Sequence, residues 1–435
     1  MQKETRNIKQ PVYVWIIWGL ILFFRLFYYS NVEWGKWLTD SADLVNYDPH
    51  YDICMFGYPM LIRLVRVVTG DAFCVGVAAV QAVVSTVSVW FMYRCLMMMT
   101  KENKLLSLII TCFYACSPSI LQWDMLIMTE SLTISLTVFF IYFALKWLRE
   151  YKKSDAVGFV LMAFLATIVK TAAFVYVGAI FILILLIILF KKEKRKAAVF
   201  LLGLNILLGL FDLGYAAYNY TQCGLFAMSS LSSRHKLVHA LRSGTYLNYP
   251  DKELVEKIDT IYRENDYIYG YVTTTPVIEL FGDTWQEQNK GTLAYAKACL
   301  RSDLPAYAKD LLVTALEEVR WKFRAGYATR LDRPAFVGKI LDIMEFIFDP
   351  LRVAYVCLVC LIGFVLFIID WIRKKECPFE MMGLVGGILL VLVSVNVAAY
   401  SEWTRLLVYS LPFFYVLVGN LISRILSCNY SEPCA

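Results

Sequence analysis

The sequence predicts an all-α, polytopic helical membrane protein with about ten transmembrane helices and an external, mostly helical segment between the seventh and eighth. Three observations carry that prediction. Hydrophobic residues make up 59% of the 435 positions and charged residues only 18%, against roughly 25% charged in an ordinary soluble domain. Mean hydropathy is +0.57, so the bilayer has to be the solvent for most of the chain. Long apolar runs recur along the sequence, and the Lys and Arg residues fall in alternate connections between them.

Runs of about 17 or more mostly apolar residues cover Val12–Tyr29, Phe73–Met99, Leu105–Leu121, Leu132–Leu148, Phe174–Phe190, Ala197–Tyr218, Leu351–Ile369, Met381–Ala399 and Leu406–Ile425. A shorter run, Ala156–Val169, ends at Lys170. In hydrocarbon every backbone group has to be satisfied within its own segment, which makes these runs helices. Val12–Tyr29 is followed by Ser30-Asn31-Val32-Glu33-Trp34, without a small-x-small cleavage site, and reads as a retained first span.

Lys and Arg in short connections mark the cytoplasmic side. Lys3, Arg6 and Lys9, Lys101 and Lys104, Arg149, Lys152 and Lys153, the run Lys191–Lys196, Arg373–Lys375 and Arg424 all fall on one side if Ala156–Val169 also spans. Both termini are then inside, in what reads as a bacterial plasma membrane. The organisation expected is an N-terminal transmembrane module over 1–218, an external helical domain or loop over 219–338, and a C-terminal transmembrane module over 339–435. Helical patterning in the external segment covers Lys252–Glu264, Gly291–Arg301 and Pro305–Arg324. A formal charge of +6 is small for this length and gives no reason to expect nucleic-acid binding.

The opposite face collects carboxylates. Ser30 to Phe56 carries Glu33, Asp40, Asp43, Asp48 and Asp52 against the single Lys36, and Gln122–Glu130 carries Asp124 and Glu130 with no base. An acid beside a membrane-embedded donor can take the proton of an attacking hydroxyl, which is general-base work, and Asp40 and Asp43 are the candidates. A solvated acidic loop is the alternative. Glu130 opens a helix, where the macrodipole favours an anion, and Asp124 or Glu130 is also a candidate for holding a divalent cation (Mg or Mn) or orienting a substrate.

Two cations run against the topology. Lys170, in Ile168-Val169-Lys170-Thr171, and Arg405, in Glu402-Trp403-Thr404-Arg405, lie at the outer ends of spans, where an unpaired charge is costly. A protein acid such as Glu402 or an anionic headgroup is the expected partner, and phosphate suits both side chains. Snorkelling structural residues are the competing reading. Arg63 and Arg66 follow Tyr58-Pro59 at helical spacing and either join such a site or anchor an interfacial helix. His50, in Asp48-Pro49-His50-Tyr51-Asp52, is a loop or substrate contact.

The twelve cysteines do not form a disulfide framework, because half of them lie in apolar runs. Cys357-x-x-Cys360 lacks a second pair and reads as packing, whereas Cys223 and Cys299 share the one polar region and are candidates to pair. His235 and His239 lie four apart, but Lys236 stands where a zincin helix has Glu. No P-loop, dinucleotide glycine pattern or nucleophile elbow occurs, so chemistry driven by cytoplasmic nucleotides is not expected.

In this order the motifs resemble the membrane-embedded GT-C glycosyltransferases, the group of the protein O-mannosyltransferases and the lipid A aminoarabinose transferase. The matching points are Asp40 in Thr39-Asp40-Ser41-Ala42-Asp43, Gly57-Tyr58-Pro59, the Pro118 to Thr129-Glu130 segment, Lys170, and the Arg405 to Pro412 segment. Two positions depart from the family pattern: Ser41 replaces a second acid directly after Asp40, and Arg405-Leu406 replaces an Arg-Tyr pair. The resemblance implies a cell-envelope enzyme that moves a sugar from a polyprenyl-phosphate-linked donor, with inversion, to a hydroxyl of a glycan, lipid or protein acceptor. Asp40 would be the base, with Asp43 as understudy, and Lys170, Arg405 and Arg63 would hold the donor phosphate. Tyr58, His50 and Glu402 would make further substrate contacts. The alternatives are an O-antigen-type polymerase or ligase, which leans on external arginines, and a polyprenyl-lipid flippase or transporter, for which no internal repeat is evident.

Overall fold

The computed structural model describes residues 11–38, 40–48, 55–229, 231–268, 271–323, 325–349, 351–375, 377–398 and 403–430. Among them the regular structure is helical, with three isolated β-bridges as the only extended pairing. From the N-terminus the chain forms α1 (Val12–Tyr29), the short α2 (Ser41–Val45), α3 (Gly57–Thr69), α4 (Phe73–Met99), α5 (Lys104–Cys116), the single turn α6 (Pro118–Leu121), α7 (Glu130–Glu150), α8 (Lys153–Val169), α9 (Val175–Phe190) and α10 (Arg195–Cys223). Then come α11 (Leu231–Arg242), α12 (Lys252–Glu264), α13 (Tyr271–Glu279), α14 (Trp285–Ser302), α15 (Leu304–Glu318) and α16 (Ala335–Phe348). The C-terminal part is α17 (Val353–Lys374), α18 (Phe379–Ala398), the one-turn α19 (Trp403–Leu406) and α20 (Leu411–Tyr430).

Among the described residues eight helices are long and apolar enough to cross a membrane, against the ten expected, and a bent pair makes a ninth candidate. This is a multi-pass integral membrane protein. The bent pair is the expected Leu105–Leu121 run: α5 and the Pro118–Met125 segment meet at 51°. The cause is local. Ser117 precedes Pro118, and the proline ring excludes the residue before it from the helical region, so Ser117 lies extended at ψ 113°. The tenth expected span is α8, a continuous helix of 17 residues, short against the roughly 20 that a bilayer crossing needs.

Burial separates a centre from a rim. In α20 83% of the apolar stretch is enclosed by protein and in α7 67%, whereas in α1, α10 and α17 only 28% is. The rim helices turn large apolar side chains such as Trp15, Phe23, Leu207 and Leu361 outward, as lipid-facing surfaces do. One end of the bundle is cationic and cross-braced. Arg149, ending α7, donates to Glu380 at the start of α18 (2.6 Å) and to the Met98 carbonyl ending α4 (2.6 Å), and Arg424 pairs with Asp370 (2.5 Å). Glu130 and Arg405 therefore stand at the opposite end, at the mouths of the two most enclosed helices.

Residues between α10 and α16 have a small core of their own, with Leu237, Leu241, Ile258, Tyr262, Tyr295 and Leu300 at its centre. Its helices start on polar caps: Asp251 accepts from the amides of Glu253 and Leu254, and Thr284 with Glu287 forms a capping box. The expected boundaries at 218 and 338 fall inside α10 and α16.

Candidate active site

The loop that follows α1 is laced to the segment between α6 and α7. The Gly35 amide donates to the Met125 carbonyl (2.9 Å), the Ile127 amide to the Lys36 carbonyl (3.0 Å), and the Ser41 hydroxyl to the Ile127 carbonyl (2.8 Å). Gly35 has φ +72°, and a Cβ there would lie 2.5 Å from the Cys74 carbonyl carbon, so only glycine fits. Ser41 is fully buried and also accepts the Leu38 amide (2.8 Å). Its hydroxyl thus fixes the backbone beside Asp40.

Four charged residues from four separate segments meet at this end. Glu130, the first residue of α7, is buried, and its Oε1 accepts from the Lys170 ammonium (2.9 Å) and from Arg405 Nε (3.0 Å). The other side of the Arg405 guanidinium donates to Asp40, whose side chain is 37% exposed while those of Lys170 and Arg405 are 11% and 14% exposed. Lys170 caps the end of α8, and Gly57 brings it into place: a Cβ at Gly57 would lie 2.6 Å from the Ile168 carbonyl oxygen. In glycine-free form the start of α3 would be held off the end of α8.

The arrangement is two cations on two carboxylates, shielded below by protein and open on the Asp40 side. Buried charges persist only when paired, and the shared Glu130 oxygen is the anion that keeps the two cations close together. What such a pair can do is attract the oxygens of a phosphate, for which Arg supplies a planar fork and Lys a point charge.

The other sequence candidates are placed differently. Asp124 is closed off: Arg25 (3.3 Å) and Tyr29 (2.6 Å) donate to Oδ2 and Ser131 (2.5 Å) to Oδ1, all buried. It is the counter-ion of Arg25, which is 1% exposed inside α1. Tyr58 is buried and donates to Gln81 Oε1 (2.6 Å), so it faces the helix core rather than a substrate. Gln81 in turn donates to the carbonyls of Asp124 (3.0 Å) and Leu126 (2.8 Å), holding the segment that leads to Glu130. Arg63 donates to the Tyr47 carbonyl (2.5 Å) and lies 5.8 Å from its ring centre, binding the first loop to α3 rather than joining Lys170 and Arg405. Asp43 is exposed in the first turn of α2. His50 and Glu402 lie outside the described residues.

Among the described residues no three His, Cys, Asp or Glu side chains converge as metal ligands. Glu130 is occupied by two cations and Asp124 by three donors, so these carboxylates do not fit the divalent cation that the sequence suggested. His235 and His239 do share α11, but His239 Nδ1 bonds to Asp310 (2.7 Å), which also pairs with Arg242 (3.0 Å), joining α11 to α15. Cys299 is a buried free thiol pushed up to about 11 by burial, and the side chain of Cys223 is outside the described residues. Cys360 is buried and free in α17.

Sequence reasoning missed the hub role of Glu130, because an acid at a helix start has an ordinary explanation, and it sought the partner of Arg405 in Glu402. It also missed Asp349, which accepts from the Ser119 amide (2.7 Å) and the Ser117 hydroxyl and whose carboxyl burial pushes up to about 7. No sequence signal links positions so far apart.

No model of a known protein family matches the chain, and no curated protein matches it. Among solved structures it is similar to the archaeal oligosaccharyltransferase AglB from Archaeoglobus fulgidus in complex with an inhibitory peptide and a dolichol-phosphate, at 12% identity and TM-score 0.42, over 96% of this chain and 48% of that one. It is similar to the same organism's oligosaccharyltransferase tethered with an acceptor peptide, at 10% identity and TM-score 0.44, over 98% of this chain and 51% of that one. The chain spans about half the length of these structures. A likeness this distant carries no argument about family or activity.

Proposed function

We propose that the protein is a membrane-embedded glycosyltransferase of the GT-C type that moves a sugar from a polyprenyl-phosphate-linked donor to an acceptor hydroxyl, with inversion. The observation that carries this reading is Arg405 bridging Asp40 and Glu130 beside Lys170. It joins the motifs on which the resemblance to that family rests into one cluster at one end of the bundle.

In the proposed step the acceptor oxygen forms a bond to the anomeric carbon as the bond from that carbon to the phosphate oxygen breaks. The hydroxyl proton passes to Asp40, and the electron pair of the broken bond stays on the phosphate. Arg405 and Lys170 stand where that charge develops, which is where fixed cations lower a barrier most. Glu130 holds both cations in position and does not touch the reacting atoms. No part of the step is routed through a metal.

Asp40→Asn keeps the size of the side chain and removes its basicity. Its expected outcome is loss of transfer by at least about a hundredfold with unchanged folding, measured with a radiolabelled polyprenyl phosphate sugar in proteoliposomes. Full activity in that variant refutes Asp40 as the base. Mass-spectrometric detection of a co-purified polyprenyl phosphate sugar tests the donor class independently.

A further inference from the structure

The chain between α15 and α17 encloses a cleft of about 680 Å³ that takes no part in the cluster just described. Its lining is strongly one-sided: Arg320, Lys322, Arg330 and Arg352 against the single acid Glu345. Arg330 is already neutralised by Asp342 (2.7 Å) and Glu345 (3.5 Å). Among the described residues Arg320, Lys322 and Arg352 have no ion-pair partner, which leaves three uncompensated cations in the cleft.

Their positions are imposed by the backbone. Lys322 and Arg352 pair across an antiparallel bridge, supported by bonds from the Phe323 amide to the Leu351 carbonyl (3.2 Å) and from the Val353 amide to the Trp321 carbonyl (3.1 Å). Like charges directly opposite one another on such a pairing destabilise it. An anion seated between them turns that repulsion into attraction.

The depth of the cleft indicates which anion. Arg352 immediately precedes α17, a candidate membrane span beginning at Val353, and the chain lining the cleft is tied to the residues just beyond the end of α1, by the Glu33 amide to Thr329 (2.9 Å) and the Leu331 amide to Asn31 (3.0 Å). The cleft therefore lies level with span ends. Beside it α16 turns Phe336, Ile343, Phe346 and Ile347 outward, with Phe346 86% exposed, and Trp321 on the lip is half exposed. An outward apolar helix face and an exposed Trp at span ends match the boundary between headgroups and acyl chains.

We propose that this cleft is a second anion site that takes the phosphate of a lipid headgroup, separate from the Lys170–Arg405 pair. The chemistry required is a phosphodiester or phosphomonoester at the membrane surface, met either by an anionic phospholipid of the bilayer or by a polyprenyl phosphate carrier.

The test uses the full chain in phosphatidylcholine nanodiscs doped with phosphatidylglycerol or with a polyprenyl phosphate, with retained lipids counted by native mass spectrometry. The triple variant Arg320→Gln, Lys322→Gln, Arg352→Gln is expected to bind one of the two at least about tenfold more weakly than the wild type. Loss confined to phosphatidylglycerol identifies the bilayer lipid as occupant, and loss confined to polyprenyl phosphate identifies the carrier. Should the triple variant fail to fold, Lys322→Glu alone, at an exposed position, is expected to weaken the same lipid severalfold. Unchanged retention of both lipids in a folded variant overturns the proposal.

Discussion

Replacing Glu130 by Gln removes one charge from the centre of the cluster and changes no heavy-atom count. In the wild type its Oε1 takes hydrogen bonds of 2.9 and 3.0 Å from Lys170 and Arg405, both largely shielded from water. Breaking a buried pair by removing one partner costs about 3–5 kcal/mol. A Gln oxygen still accepts, at about half the strength of a carboxylate, so a loss of about 2–3 kcal/mol of stability is expected. Lys170 and Arg405 then both lose the carboxylate they share, while Arg405 keeps its contact with Asp40. If Glu130 positions both cations, a double-mutant cycle of Glu130→Gln with Arg405→Gln should give a coupling of about 1–3 kcal/mol. Unfolding midpoints in detergent and transfer rates in proteoliposomes read the two halves of this expectation. Additive effects in both measurements, or a midpoint unmoved in Glu130→Gln, refute the assignment of Glu130 as the shared anchor.

Gly57→Ala adds a Cβ 2.6 Å from the Ile168 carbonyl oxygen, a backbone atom that has no easy escape. Overpacking of this kind typically costs about 1–3 kcal/mol, and the displaced α8 terminus should lower transfer through Lys170 even where the protein remains folded. His235, partly buried on α11, has its pKa lowered to about 4, first by burial and then by repulsion from His239, Arg234 and Lys236. The fold therefore favours the neutral ring. Its stabilisation is complete above about pH 6.5 and is lost as pH falls from 6.5 towards 4, amounting to at most about 3 kcal/mol. Thermal unfolding across that window should flatten in His235→Gln, and an unchanged pH profile refutes the assignment.

The apolar helices were legible because the bilayer imposes one rule, a run of sufficient length, that needs no partner to be read. The bend at Ser117-Pro118 was equally local in cause, yet it lies inside an apolar run and so was read as part of a straight span. The site was legible one residue at a time: Asp40, Glu130, Lys170 and Arg405 each violate a local expectation about charge. What the chain could not disclose is who pairs with whom, since Arg405 and Asp40 are separated by most of the sequence and meet only through helix packing. Tyr58 and Asp124 show the converse. Their residue types suit chemistry, but burial against Gln81 and Arg25 makes them parts of the frame.

Arg405 is shared by two acids, and the proposed reaction gives that sharing a consequence. Before transfer one negative charge lies on Asp40 and one on the donor phosphodiester. Afterwards Asp40 is protonated and the leaving phosphate carries two charges, so the total is unchanged and the charge has moved across the guanidinium. A single planar group that reaches Asp40 on one side and is held by Glu130 on the other can follow that movement without being displaced. Lysine has the same charge but a single ammonium, which satisfies one carboxylate at a time and loses the fork. Arg405→Lys is therefore expected to retain most of the stability, because the cluster stays neutral, while transfer falls by more than about tenfold, the cost of a lost charge-assisted contact at the developing charge. Arg405→Gln should lower both. Transfer in Arg405→Lys equal to the wild type would mean that charge alone is required, and the bridging geometry would then have no part in the reaction.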